Sequence, residues 1–377
     1  MDHYTSIKKT LFLCSAVLAL LLTSALPKSA HAQFGDAGEI LKSGVEDANL
    51  LMEEYLRPFG NGFGADLNSG WINSGRPYKK FGFDLRVSAA VSLVPSGDRS
   101  FLVDELQFQN LERVGGSSET QTAFGDDTPG AVMGVFGDNP FSGFREEITR
   151  FAMPQGSGYP YVPAPMVQLT VGAVKDTDVS LRYAPSISVD EFSMDLFGFG
   201  VRHGINQWLP GGAALPVDIS VQAGLTRLNS SFDLDVNPEQ GTDVYNPFSA
   251  TPGVWEDQSI QLEASGFTGN VIVGKNLPVI SLFGGLGFQT STVDLSSPGA
   301  YPITSFNPDF NPLDGSEETR QRIVERIDDP ITLSYDGENS VHAFAGFRLR
   351  LGFIALSATY TQSKYPTLNA GVGISFR

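Results

Sequence analysis

The nine residues that end the chain, "NAGVGISFR", alternate without a break. Ala370, Val372, Ile374 and Phe376 fall on one side, and Asn369, Gly371, Gly373, Ser375 and Arg377 on the other. Successive side chains of an extended chain point to opposite faces, so this is a strand with one apolar and one polar or small face. The pattern recurs in "VDISVQAGLT" (217–226), "FGFDLRVSAAVSL" (81–93) and "VHAFAGFRLRL" (341–351). These runs of 10 to 13 residues are longer than the five or six usual in sheets of soluble proteins.

Two architectures bury such strands. A sandwich packs apolar faces together, whereas a membrane barrel turns them to lipid and its polar faces to a lumen. Strand length favours the barrel, because about 9–11 tilted residues cross the hydrocarbon. Alternation predicts strands near 62–74, 81–94, 100–114, 163–174, 178–188, 192–203, 214–228, 258–274, 279–294, 339–350, 353–362 and 367–377. The expectation is thus an all-β, antiparallel transmembrane barrel of about twelve strands, ten to fourteen. With the C-terminus in the periplasm, the turns at 95–99, 175–177, 203–213, 275–278 and 351–352 fall on the periplasmic side. The long segments 115–162, 229–257 and 295–338 then all fall outside, as in outer-membrane barrels. Two parity breaks, near Leu196 and near Ser265, read as β-bulges.

The other end of the chain reads as a leader. Lys8 and Lys9, the apolar run Leu11–Leu22 and Ala30-His31-Ala32 make a signal peptide over 1–32, cleaved after Ala32. Cys14, the single cysteine, lies inside it behind Leu13, where lipid attachment requires a small residue. Removing it takes Lys8, Lys9, Lys28 and Asp2 from 25 basic and 42 acidic residues, leaving a net charge of 22 − 41 = −19. Such a surface repels nucleic acid.

The C-terminal alternation ending next to Phe376 resembles the sorting signal of outer-membrane β-barrel proteins. That resemblance implies insertion by the barrel-assembly machinery and a location in the cell outer membrane, with its lipid as partner. Arg377 follows the aromatic, where that family usually ends on it. The whole mature chain also resembles a Gram-negative family known only as a domain of unknown function, through "LRPFGNGFGADLNSGW" (56–71) and "GFGVRHGINQWLPG" (198–211). In architecture it is more distantly similar to fatty-acid transporter (FadL) type channels. The chain closes on a strand because a closed barrel pairs its last strand with its first.

Outside the wall, residues 33–60 form a separate segment ahead of the barrel, 61–377. Its pattern over 36–57 is an amphipathic helix, with Asp36 and Glu39 at capping-box spacing and Pro58 and Gly60 as stops. Two placements stand: tucked under or against the barrel, or plugging the lumen. Trp208, in the turn 203–216, reads as an interfacial anchor. In the segment 115–162, Met133, Phe136, Phe141, Phe144, Ile148 and Phe151 gather apolar area, the last part at helical spacing. They are either a lid over the mouth or a collecting surface for a small apolar ligand. "SEETRQRIVERIDD" (316–329) reads as a short charged helix.

Inward parity collects Asp84, Arg86, Arg182, Asp195, Arg202, Asp218, His342, Arg348 and Arg350. This mixed-charge lumen is either a lattice of ion pairs or a selectivity lining for a polar solute. After cleavage only His203 and His342 remain, so no Cys or His cluster can hold a transition metal. "DLDVNPE" (233–239) lacks the Gly and distal Glu of a calcium loop. No catalytic triad is identifiable, and neither enzyme activity nor a cofactor is expected. The function classes are a channel or transporter for small hydrophobic or amphipathic solutes, and a structural or assembly barrel with a plugged lumen.

Overall fold

The computed structural model describes residues 38–376 other than 190 and 338. The expected signal peptide 1–32, Asp36 and Arg377 lie outside the described residues. Long two-faced strands leave no edge unpaired only when the sheet closes, and this one does. The wall strands are β1 (Phe83–Leu93), β2 (Tyr161–Gly172), β3 (Thr177–Val189), β4 (Phe192–Gly204) and β5 (Asp218–Asp233). They continue as β6 (Ser259–Asn276), β7 (Ile280–Ser296), β8 (Ser340–Leu351), β9 (Ile354–Gln362) and β10 (Thr367–Phe376). Each pairs antiparallel with its sequence neighbours, and β1 closes the ring on β10 with Phe83 opposite Phe376. One further strand, Thr332–Asp336, extends β7 above the ring.

The wall therefore has ten strands, not twelve. The two expected strands that fail are 62–74 and 100–114. The first is the lower end of a helix, α1 (Val45–Asn68), and a coil that follows it. The second breaks into Ser100–Leu102 and Leu111–Gly116, which pair only with other loop strands. With one wall strand before it instead of two, 95–99 moves to the end of the barrel that carries the long loops. The connections 173–176, 205–217, 277–279 and 352–353 share the opposite, short-turn end.

Neither parity break is a bulge. The ladder between β4 and β5 runs without a slip through Leu196, and that between β5 and β6 runs through Ser265. Polarity inverts instead. On β6 the outward residues are Val273, Val271 and Phe267 toward the short turns, then Ser265, Glu263 and Gln261 toward the loops. Its inward residues change the other way, from Asn270 and Thr268 to Ala264, Leu262 and Ile260. β5 does the same between Leu225 and Arg227, and β7 between Phe288 and Thr290. The lower wall is apolar outside, and the upper wall is apolar inside because α1 and the loops fill it. Among the described residues of the wall the register shifts once, on β3 after Ala184, opposite Leu196, so the extra residue belongs to β3 and not to β4.

Above the mouth, Leu111–Gly116, Ala131–Asp138 and Arg145–Ala152 form a three-stranded sheet. A second comprises Ala300–Phe306, Arg322–Asp328 and Val244–Tyr245. The spacings read as helical in 144–151 and 316–329 are strands in the structure; only Glu317–Thr319 makes a 3-10 turn. A four-residue apolar repeat on a sheet is carried by long-range pairing that local spacing does not encode. No helix among the described residues is long and apolar enough to cross a membrane.

Candidate functional site: the filled lumen

The expected helix 36–57 starts later and runs further, from Val45 to Asn68, with Pro58 inside it. It lies within the ring, against β1, β2, β5, β6, β7 and β10. Leu51, Met52, Tyr55, Leu56 and Leu67 are sealed from solvent. Its glycines are a condition of fitting. A Cβ on Gly60 would come within 2.6 Å of the Tyr335 hydroxyl, and one on Gly62 within 2.4 Å of Val162. That is why "FGNGFG" is such a poor helix sequence by propensity and still a helix here.

A helix ends with carbonyls that have no partner in the helix, and inside a barrel there is no bulk water to supply one. Arg182, on β3 and fully buried, donates to the Leu67 carbonyl at 2.8 Å and the Ser69 carbonyl at 2.5 Å. A cation at this position also faces the negative end of the helix dipole. The coil beyond has the same need, met at four of its carbonyls. Arg86 on β1 donates to Gly70 (2.6 Å), Gln168 on β2 to Trp71 (3.1 Å), Arg202 on β4 to Ser74 (2.5 Å) and Ser220 on β5 to Gly75 (2.9 Å), all at backbone carbonyls. At the lower end the Tyr78 N–H donates to Asp178 at 3.0 Å.

Trp71 plugs the middle. Its ring lies 3.7 Å from the Arg182 guanidinium, within cation–π range. Gly200 and Gly224 face it from the wall, and a Cβ at either would sit 2.6 Å from the ring. Two ion pairs complete the lumen: Arg202 with Asp178, and Arg348 with Asp84, at 2.5 and 2.8 Å. Asp84 also accepts from Asn73 at 2.9 Å. His342 is buried and bonds Asn270 through Nε2.

The expected lumen residues are thus sorted by position. Asp84, Arg86, Arg182, Arg202, His342 and Arg348 are buried inside the ring. Asp218 and Arg350 stand at the short-turn rim, bonded to Asn276 and to the Pro278 carbonyl. Asp195 was expected inside and points out, bonded to Asn229 on the outer face of β5. The supposed bulge at Leu196 had reversed its parity. Sequence reasoning missed Asp178, which shares a face with Arg182, and Trp71, which lay in a segment read as wall.

The apolar loop residues are dispersed. Met133 and Phe151 are buried, opposite one another in the loop sheet. Phe136 faces Arg145, Ile148 is half-buried, and Phe141 packs edge-on to Phe310 at 5.0 Å. Phe144 is 72% exposed. Trp208 is exposed at the short-turn end and donates to His203. Among the described residues no three His, Cys, Asp or Glu side chains gather to hold a metal ion. Glu239 and Asp243 are instead bound by Arg322.

A closed antiparallel ring around its own N-terminal segment is therefore the form of this chain. The model of a family of unknown function, DUF6588, matches residues 7–376. The chain belongs to that family. No curated protein matches the sequence of this DUF6588 member. Among solved structures it is similar to the attachment invasion locus protein Ail of Yersinia pestis, at 10% identity and TM-score 0.24, covering 79% of this chain and 99% of that one. It is similar to the translocator domain of the autotransporter NalP from Neisseria meningitidis at 9% identity, TM-score 0.29, over 89% and 99% of the two chains. The toluene transporter TbuX of Ralstonia pickettii matches at 10% identity, TM-score 0.22, over 85% and 99%. At these scores none of the three bears on what the DUF6588 chain does.

Proposed function

We propose that this protein is an outer-membrane barrel closed by its own N-terminal segment, working through the loop head above its mouth. The signal peptide 1–32 sends it out of the cytoplasm, and the barrel-assembly machinery inserts it with the short turns in the periplasm. Outer-membrane lipid covers the outward band that includes Phe199, Leu225, Leu286 and Phe347, each at least two-fifths exposed. An exposed girdle of that extent requires an apolar surrounding.

The observation that carries the closed reading is the line of buried donors, from Arg86 to Ser220, bonded to the carbonyls of Leu67, Ser69, Gly70, Trp71, Ser74 and Gly75. A solute path down the lumen would have to break these bonds and displace Trp71. The dispersal of Met133, Phe136, Phe141, Phe144, Ile148 and Phe151 also leaves little continuous surface to collect a small apolar ligand. The full-length protein in a planar bilayer should give no steady current. A steady current from the intact chain would overturn this reading in favour of a channel for small solutes.

A further inference from the structure

We infer that the barrel carries its own N-terminal segment outward through the lumen, so that Gly38 lies on the outer side of the membrane and Phe376 on the inner. This rests on the proposed orientation, short turns inward. Ten strands alone would leave both ends of the wall on one side, since Phe83 and Phe376 are paired. The segment ahead of β1 changes that.

Its direction is fixed at both ends. At the loop end, Asp47 accepts from the backbone N–H groups of Gln109, Asn110 and Leu111 at 2.8, 2.7 and 3.0 Å. Below it, the Tyr55 carbonyl accepts from the Ala123 N–H, and Asn61 reaches Tyr365 in the connection between β9 and β10. At the other end Gly75 lies against the backbone of Gly274, near the foot of β6. The Phe81 N–H bonds the Gly172 carbonyl at the foot of β2, and the chain turns there into β1. Residues 45 to 80 therefore run from loops to short turns along the whole interior.

A buried carboxylate that ties three loop amides is a fixed anchor, not a passing contact, because each unmade bond would leave a desolvated polar group. The Gly38–Ser43 turn above it packs on strands Arg145–Ala152 and Ala300–Phe306. The head is thus built jointly from the N-terminal segment and the loops, and cannot form with that segment on the periplasmic side.

The sole cysteine is Cys14, in the leader, so single-cysteine variants of the full-length protein report cleanly in intact cells. The probe is a membrane-impermeant maleimide. Glu46→Cys and Phe144→Cys, both at exposed loop-end positions, should label as fully in intact cells as after lysis. Lys80→Cys, exposed at the short-turn end of the same segment, should lose its labelling in intact cells and recover it on lysis. Val45→Cys, 42% exposed, repeats the reading should Glu46→Cys disturb the helix start. Labelling of Phe144→Cys in intact cells with Glu46→Cys and Val45→Cys labelled only after lysis would overturn the inference and leave the outer-membrane reading standing. Intact-cell labelling of Lys80→Cys without Phe144→Cys would overturn the orientation itself.

Discussion

Arg182 shows how a charge can be buried without a counter-ion. Among the described residues it pairs with no carboxylate; its partners are the Leu67 and Ser69 carbonyls, the Gln168 side chain and the face of Trp71. Partial charges at a helix end and an aromatic face stand in for the missing anion. Replacing it by Met keeps much of the volume and leaves the two carbonyls unmatched, at about 1–3 kcal/mol each. Arg182→Met should therefore lower the temperature at which the folded, fast-migrating form is lost on a gel, and Arg182→Lys, which lacks the planar fork, should recover only part of it. An unchanged midpoint in Arg182→Met would show that the bonds to the coil contribute nothing.

Among elements, one side chain ties both loop sheets to the segment between them. Arg322 binds Glu239 at 2.6 Å, Asp243 at 2.9 Å and the Ile148 carbonyl at 2.7 Å, so it links three loop segments. Its hydrogen bond holds the Asp243 carboxyl below the usual carboxylate range. A carboxyl whose pKa is depressed on folding contributes stability that is present above its unfolded value, about 3.9, and lost as pH falls through the folded one. The clasp should then hold at mildly acid pH and release only below that range. Limited proteolysis of 234–258 across a pH series should show the onset, and Arg322→Ala should be cut readily at neutral pH. Legibility divides along the same line between elements. Wall strands such as β8 and β10 were plain from alternation because one face is apolar and the other lines a polar lumen. The stretch 62–74 was not, since glycines chosen to fit a lumen look like weak strand. Asp195 went to the wrong face because alternation was assumed to keep one polarity along β4, whereas Met194 and Leu196 turn inward to meet the core around α1.

For the molecule as a whole, that inversion makes one wall obey two solvents. Along β6, Val271→Lys puts a charge in the lower band and should cost about 2–4 kcal/mol if it lies near the bilayer midplane. Gln261→Lys, outward near the top, should stay within about 0.5 kcal/mol. Leu262→Lys, its neighbour facing α1, should be severe, because it buries an unpaired charge. Urea or heat midpoints of the three would check the order, and a mild Leu262→Lys would contradict an apolar upper interior. The wall is also uneven in height. Strands β5, β6 and β7 hold 16, 18 and 17 residues, and β9 and β10 only 9 and 10. Seated in a leaflet of uniform thickness, such a ring has a parapet on one flank and a low sill on the other. In the membrane orientation proposed above, lipid headgroups reach the head across the sill near Ser363 and Lys364, while the parapet holds them off, so a bulky visitor finds this protein approachable from one compass direction more than from its opposite.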